Sequence, residues 1–129
     1  MPRRHLDWLR QAKRNLASAE LNRGAGLYEE ACFEGHQAAE KALKALLSYM
    51  HMERRGHSLV ALAREAGLAV GEDLMRCLQY LDKHYIPARY PDVYDEGAPM
   101  DYYNEEDAER CIQCAERVLS WVEGRVGPL

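Results

Sequence analysis

The sequence predicts an all-α protein: an antiparallel up-and-down bundle of four long helices plus one short helix, in a single domain over residues 1–129. Three observations carry that expectation. Leu and Ala dominate while β-branched residues are scarce, with six Val, two Ile and no Thr, a balance that favours helix over sheet. Apolar residues recur at helical spacing through long segments. All but one of the links between those segments are short, so neighbouring helices must fold back on each other. A chain of 129 residues holds one sizeable core and has no room for two.

The first helix is expected over residues 3–23, with Leu6, Leu9, Ala12 or Lys13, Leu16 and Ala19 on one face and Trp8 widening it. Gly24-Ala25-Gly26 supplies residues able to take positive φ at a C-cap. The second helix, residues 28–52, is the one around which the rest is organised. Ala31, Cys32, Gly35, Ala38, Ala39, Ala42, Leu43, Leu46, Tyr49 and Met50 fall in one sector, and Glu30, Glu34, Gln37, Lys41 and Ser48 lie opposite on a solvated face. Arg54 and Arg55 complement its C-terminal dipole, and Gly56 permits a turn. Ser58 is the expected N-cap of a short helix, LVALAREA, closed by Gly67. A further helix starts near Gly71-Glu72-Asp73, lines up Leu74, Cys77, Leu78, Leu81 and Tyr85, and is stopped by Pro87. Residues 86–103 then break the pattern with three prolines, one glycine and four tyrosines. A segment that long and that aromatic is a functional loop in preference to a disordered linker. Asn104 caps the last helix, with three acids in its first turn and Ala108, Cys111, Ile112, Ala115, Val118, Leu119 and Val122 as its stripe.

Net charge is −4, divided unevenly: residues 1–64 carry eleven basic and seven acidic side chains, residues 65–129 six and fourteen. That excludes general DNA binding and leaves a local basic cleft open. No apolar run reaches the roughly eighteen residues of a membrane span, and the Pro2-Arg3-Arg4-His5 start has no apolar signal region behind it. A cytoplasmic protein is the expectation. Cys32, Cys77, Cys111 and Cys114 are open to three readings: packed thiols, a metal site of which Cys111-x-x-Cys114 would be half, or disulfides. All four fall on or at the edge of apolar helix faces, which favours packed thiols, and no metal site is assigned. An expected cytoplasmic location weighs against disulfides.

The residues of chemical interest lie beside the apolar stripe of the second helix. His36, Glu40 and Lys44 follow one another at i, i+4 and i+8. They form either the wall of a site or a polar pair closing the core edge, and Glu40 before Lys44 is simply the favourable order for a helix ion pair. His57 precedes a helix N-terminus next to two arginines, where an anion would meet charged donors and free amides; otherwise it is an exposed turn residue. Arg89 stands between Tyr85 and Tyr90 in YIPARYPD, suited to phosphate and to stacking, or paired with Asp92 to pin the loop. Among standard signatures, the P-loop, the dinucleotide fingerprint and the paired-His metalloprotease helix are all missing.

AAEKALKALL at residues 38–47, GHSL at 56–59, YIPARYPD at 85–92 and a final helix beginning DAERCIQCAERVLSWVE together resemble the HEPN domain family over nearly the whole chain. The resemblance implies a helical bundle, usually a homodimer with a cleft between protomers. It also implies a nucleotide or substrate as ligand, ATP or GTP here, and a minimal nucleotidyltransferase as separate partner. The same domain recurs at the end of sacsin and in enzymes similar to kanamycin nucleotidyltransferase. On this reading Arg89, His57 and Lys44 contact phosphate, Tyr85, Tyr90, Tyr94, Tyr102 and Tyr103 stack on a base, and His36 with Glu40 shapes the seam. A second branch of the family consists of ribonucleases, many of them toxins, carrying Arg, four to six residues, then His. This chain departs from that pattern. Its nearest approach is Arg76 with seven residues before His84, a separation of roughly 12 Å on a helix. No catalytic residue is therefore assigned. The alternatives are a ribonuclease acting on RNA through a non-standard Arg76 and His84 pair across a dimer, and an antitoxin or scaffold whose tyrosine loop binds a protein.

Overall fold

The computed structural model describes residues 3–126; Pro2 of the charged start lies outside them. Five helices follow in order: α1 (Arg4–Gly24), α2 (Tyr28–Tyr49), α3 (Leu59–Ala66), α4 (Glu72–Asp82) and α5 (Glu105–Glu123). Each described helix occupies the segment its apolar period marks, two of them ending early, and the described residues contain no strand.

The link between α1 and α2 is three residues long, so the two pack as a helical hairpin. α2 also carries α5 along another flank, and α3 and α4 close the remaining side. It is the central element, buried at Ala31, Ala39, Ala42, Leu43, Leu46 and Leu47 among others. Its polar side is drier than its period implies. Glu34, Gln37 and Lys41 are half-buried, and Asn15 of α1 bridges the helices by donating to Glu34 Oε2 and accepting from Lys41 Nζ, both at 2.8 Å.

α2 ends at Tyr49, three residues before the expected stop. His51 turns into the left-handed region at φ 58°, a conformation that a helix cannot continue through. α4 likewise ends at Asp82, which removes Tyr85 from the face assigned to it and places it in the loop. Within residues 86–103 the chain makes two short 3-10 turns, Pro91–Val93 and Pro99–Tyr102, each opened by a proline. Ser58 and Gly67 bracket α3 as expected: Ser58 Oγ accepts from Ala61 N at 3.1 Å, and Gly67 closes the helix at φ 70°.

The cysteines are a correction to the packed-thiol expectation. Cys32 pairs with Cys111 and Cys77 with Cys114 in two disulfides, with Cα separations of 5.1 and 5.0 Å. The first joins α2 to α5 and the second α4 to α5. Partners 79 and 37 residues apart in sequence cannot be matched by spacing; the first pair meets where Gly35 lets α2 approach α5 closely. A Cβ at Gly35 would stand 3.2 Å from the Cys111 carbonyl oxygen. Cys111 and Cys114 therefore face different helices, and the half zinc site suggested by their spacing does not form.

Candidate functional site

His36 and Glu40 sit one turn apart on the side of α2 that meets α3 and the start of the tyrosine loop. They are not at a wet edge: His36 is fully buried and Glu40 is 4% exposed. A carboxylate so enclosed needs partners. Glu40 Oε2 accepts from Lys44 Nζ at 3.0 Å, Oε1 lies 3.0 Å from His57 Nδ1, and His36 Nδ1 is 4.0 Å away. The loop after α2 thus returns His57 to the seam and brings it together with His36, Glu40 and Lys44.

Asp82 is the residue that sequence reasoning missed. As the last residue of α4 it stands where a carboxylate opposes the helix dipole, and its tertiary partners explain why it is there. Oδ1 accepts from Leu59 N at 2.8 Å and faces His36 Nε2 at 3.2 Å; Oδ2 accepts from Val60 N at 3.2 Å and Ser58 Oγ at 3.4 Å. Asp82 therefore caps α3 from another helix and ties it to α2. Burial pushes its carboxyl up, but the bonds from His36 and the two amides outweigh that and hold it below the usual range. An acid in the wrong dipole position was the available signal.

Arg89 lies against three aromatic rings, its guanidinium carbon 4.4 Å from the centroid of Tyr85 and 4.8 Å from those of Phe33 and Tyr90. Nε donates to the Tyr85 carbonyl at 2.9 Å. Among the described residues no carboxylate pairs with it, so the expected alternative contact with Asp92 is not made. Tyr85 is the hub: its ring stacks on His57 at 4.7 Å and contacts His36 at 4.9 Å.

The other loop tyrosines are spent differently. Tyr94 and Tyr102 stack on each other at 4.0 Å, and their hydroxyls donate to the carbonyls of Pro87 and Glu96. Tyr103 points inward, its Oη 2.7 Å from His84 Nδ1, and burial raises its phenol. Of the loop tyrosines only Tyr90 is both exposed and beside Arg89. Tyr94, Tyr102 and Tyr103 thus contribute to the packing of the loop.

Two clefts flank the seam. One of about 670 Å³ includes Arg4, Trp8, Lys44, His51, Arg54 and Arg55 in its walls, a basic lining to which α1 contributes Arg4 and Trp8, neither of them assigned to the site from sequence. The other, about 470 Å³, includes His57, Asp82 and Tyr85. The Arg76 and His84 pair does not assemble within the chain. Arg76 is exposed and bonded to Glu72 and Asp73, whereas His84 Nε2 is buried. Burial also pushes the His84 imidazole down to about 4.

Comparison with known proteins agrees with the fold. A crystal structure from Thermus thermophilus superimposes with a TM-score of 0.93 at 39% identity, covering 96% of this chain and 99% of that one. An archaeal HEPN homologue gives 0.82 at 48% identity, covering 95% and 98%, and an HEPN domain protein from Thermotoga maritima 0.77 at 30%, covering 95% and 99%. A candidate toxin of Methanocaldococcus jannaschii is 27% identical over 127 residues, 90% of this chain and 84% of its own length. No described helix is long and apolar enough to cross a membrane. The HEPN profile matches residues 5–125, and the chain belongs to the HEPN domain family.

Proposed function

We propose that this chain is the nucleotide-binding member of a toxin–antitoxin pair, a homodimeric HEPN module that acts with a separate minimal nucleotidyltransferase. The observation that carries the reading is Arg89: a permanent cation held by aromatic faces and one carbonyl, with no carboxylate partner among the described residues. An arginine oriented in that way keeps N–H groups free for a phosphate. Lys44 supplies a further cation and His57 a further imidazole on either side of Glu40, and Tyr90 offers the exposed ring on which a base would stack. The toxin-named relative supports the pairing with a partner.

Titration calorimetry with ATP and with GTP, with and without magnesium, tests the reading. Binding weakened about tenfold or more by Arg89→Ala, equivalent to about 1.4 kcal/mol or more, is the expected result. No heat from either nucleotide at millimolar concentration would sink it. Co-purification with a nucleotidyltransferase encoded beside the gene tests the partner.

A further inference from the structure

We infer that Cys32, Cys111 and His84 form, when both cysteines are reduced, a binding site for one thiophilic divalent cation such as Zn²⁺. The two sulfurs and one ring nitrogen of His84 all lie within 4.8 Å of one another. They come from α2, from α5 and from the segment just after α4. Zinc bonds of about 2.3 Å to sulfur and about 2.0 Å to nitrogen place tetrahedral ligands about 3.5–3.8 Å apart, so small side-chain rotations bring all three onto one ion.

The histidine is already set for this. Its Nδ1 is engaged by Tyr103 Oη at 2.7 Å, which leaves Nε2 as the donor. That nitrogen is buried and has no hydrogen-bond partner among the described residues. A buried polar atom without a partner calls for a reason, and an imidazole fixed at one nitrogen by a hydrogen-bonding group is how metal-bound histidines are oriented.

The sulfurs are held independently of the bond between them. Gly35 seats α2 against the Cys111 backbone at 3.2 Å from its would-be Cβ, so the helices stay close after reduction. Cys32 Sγ also lies 3.3 Å from the Asp107 carbonyl oxygen, a contact that is a hydrogen bond only when the sulfur carries a proton. Reduction by a small thiol adds two electrons and two protons to the disulfide, and the reductant leaves as its own disulfide. A divalent ion then displaces both protons to solvent, and two thiolates balance its charge. No other described His, Cys, Asp or Glu joins the cluster, so a water or small anion takes the fourth position. Because Tyr85 follows His84 directly, an ion here would anchor the start of the tyrosine loop to α2 and α5.

The test uses protein reduced with a phosphine under anaerobic conditions, with Co²⁺ as the spectroscopic stand-in for Zn²⁺. In a Cys77→Ser, Cys114→Ser background, shown folded by circular dichroism, all thiolate signal comes from Cys32 and Cys111. The expected result is a sulfur-to-cobalt charge-transfer band saturating at one equivalent, displaced by Zn²⁺, with affinity at least tenfold weaker in His84→Leu. A folded, reduced protein that gives no band, or one whose affinity His84→Leu leaves unchanged, overturns the inference. Should the double serine variant not fold, chelator competition on the reduced wild-type chain decides. There, one Zn²⁺ bound at least tenfold more tightly than by His84→Leu supports the site, and no retained Zn²⁺ or equal affinity overturns it.

Discussion

Glu40 and His84 show two ways of accommodating polar atoms away from water. Glu40 keeps partners on both oxygens, Lys44 and His57. His84 keeps one, at Nδ1, and burial holds its imidazole at about 4 against an ordinary 6.5. The consequence for stability has a definite sign. Between pH 6.5 and about 4 the unfolded chain takes up a proton that the folded chain refuses, so this contribution is complete above pH 6.5 and declines as pH falls through that window. Urea midpoints of the oxidised, metal-free protein should therefore drop more from pH 7 to pH 5 for the wild type than for His84→Gln. Identical drops would show that His84 titrates normally.

Among the elements, α3 is the one least able to stand alone. Eight residues cannot sustain a helix in water, and this one is held by Ser58 at its own N-cap and by Asp82 reaching across from α4. Asp82→Ala strands two α3 amides and the buried His36 and should cost about 2–3 kcal/mol, whereas Ser58→Ala should cost about 1 kcal/mol. Hydrogen exchange across residues 59–66 should accelerate most in the Asp82 variant. An α3 exchange pattern unaltered by Asp82→Ala would remove Asp82 from this role. The helix and its cap were legible from LVALAREA and its neighbours, since a cap is a local device. Asp82 was not, because its partners are 22 to 46 residues away.

For the whole molecule, the tyrosine loop is the outward-facing feature. Ile86, Val93, Met100 and Tyr102 are each more than 40% exposed, apolar side chains of the kind that pair with another chain. We predict that a second copy covers them, and that Val93→Asp with Met100→Asp shifts the protein from dimer to monomer in analytical ultracentrifugation without loss of helicity. A wild-type monomer at high micromolar concentration would refute the prediction. The loop's internal packing was not legible in the sequence. From sequence a tyrosine offers a free ring, yet Tyr94 and Tyr102 cover each other, and Tyr103 turns inward to His84.

The sequence by itself determined the helices, most of their ends, the central place of α2 and the side of it on which polar residues gather. Those follow from periodicity, caps and link length, all of which act within a few residues. Tertiary structure alone decided that the Glu40 seam is buried, that Asp82 joins α3 to α2, that Arg89 rests on three rings, and that Cys111 and Cys114 turn to different helices. Each of those depends on which helix flank meets which, and a close approach such as that at Gly35 is settled by packing between segments far apart in the chain.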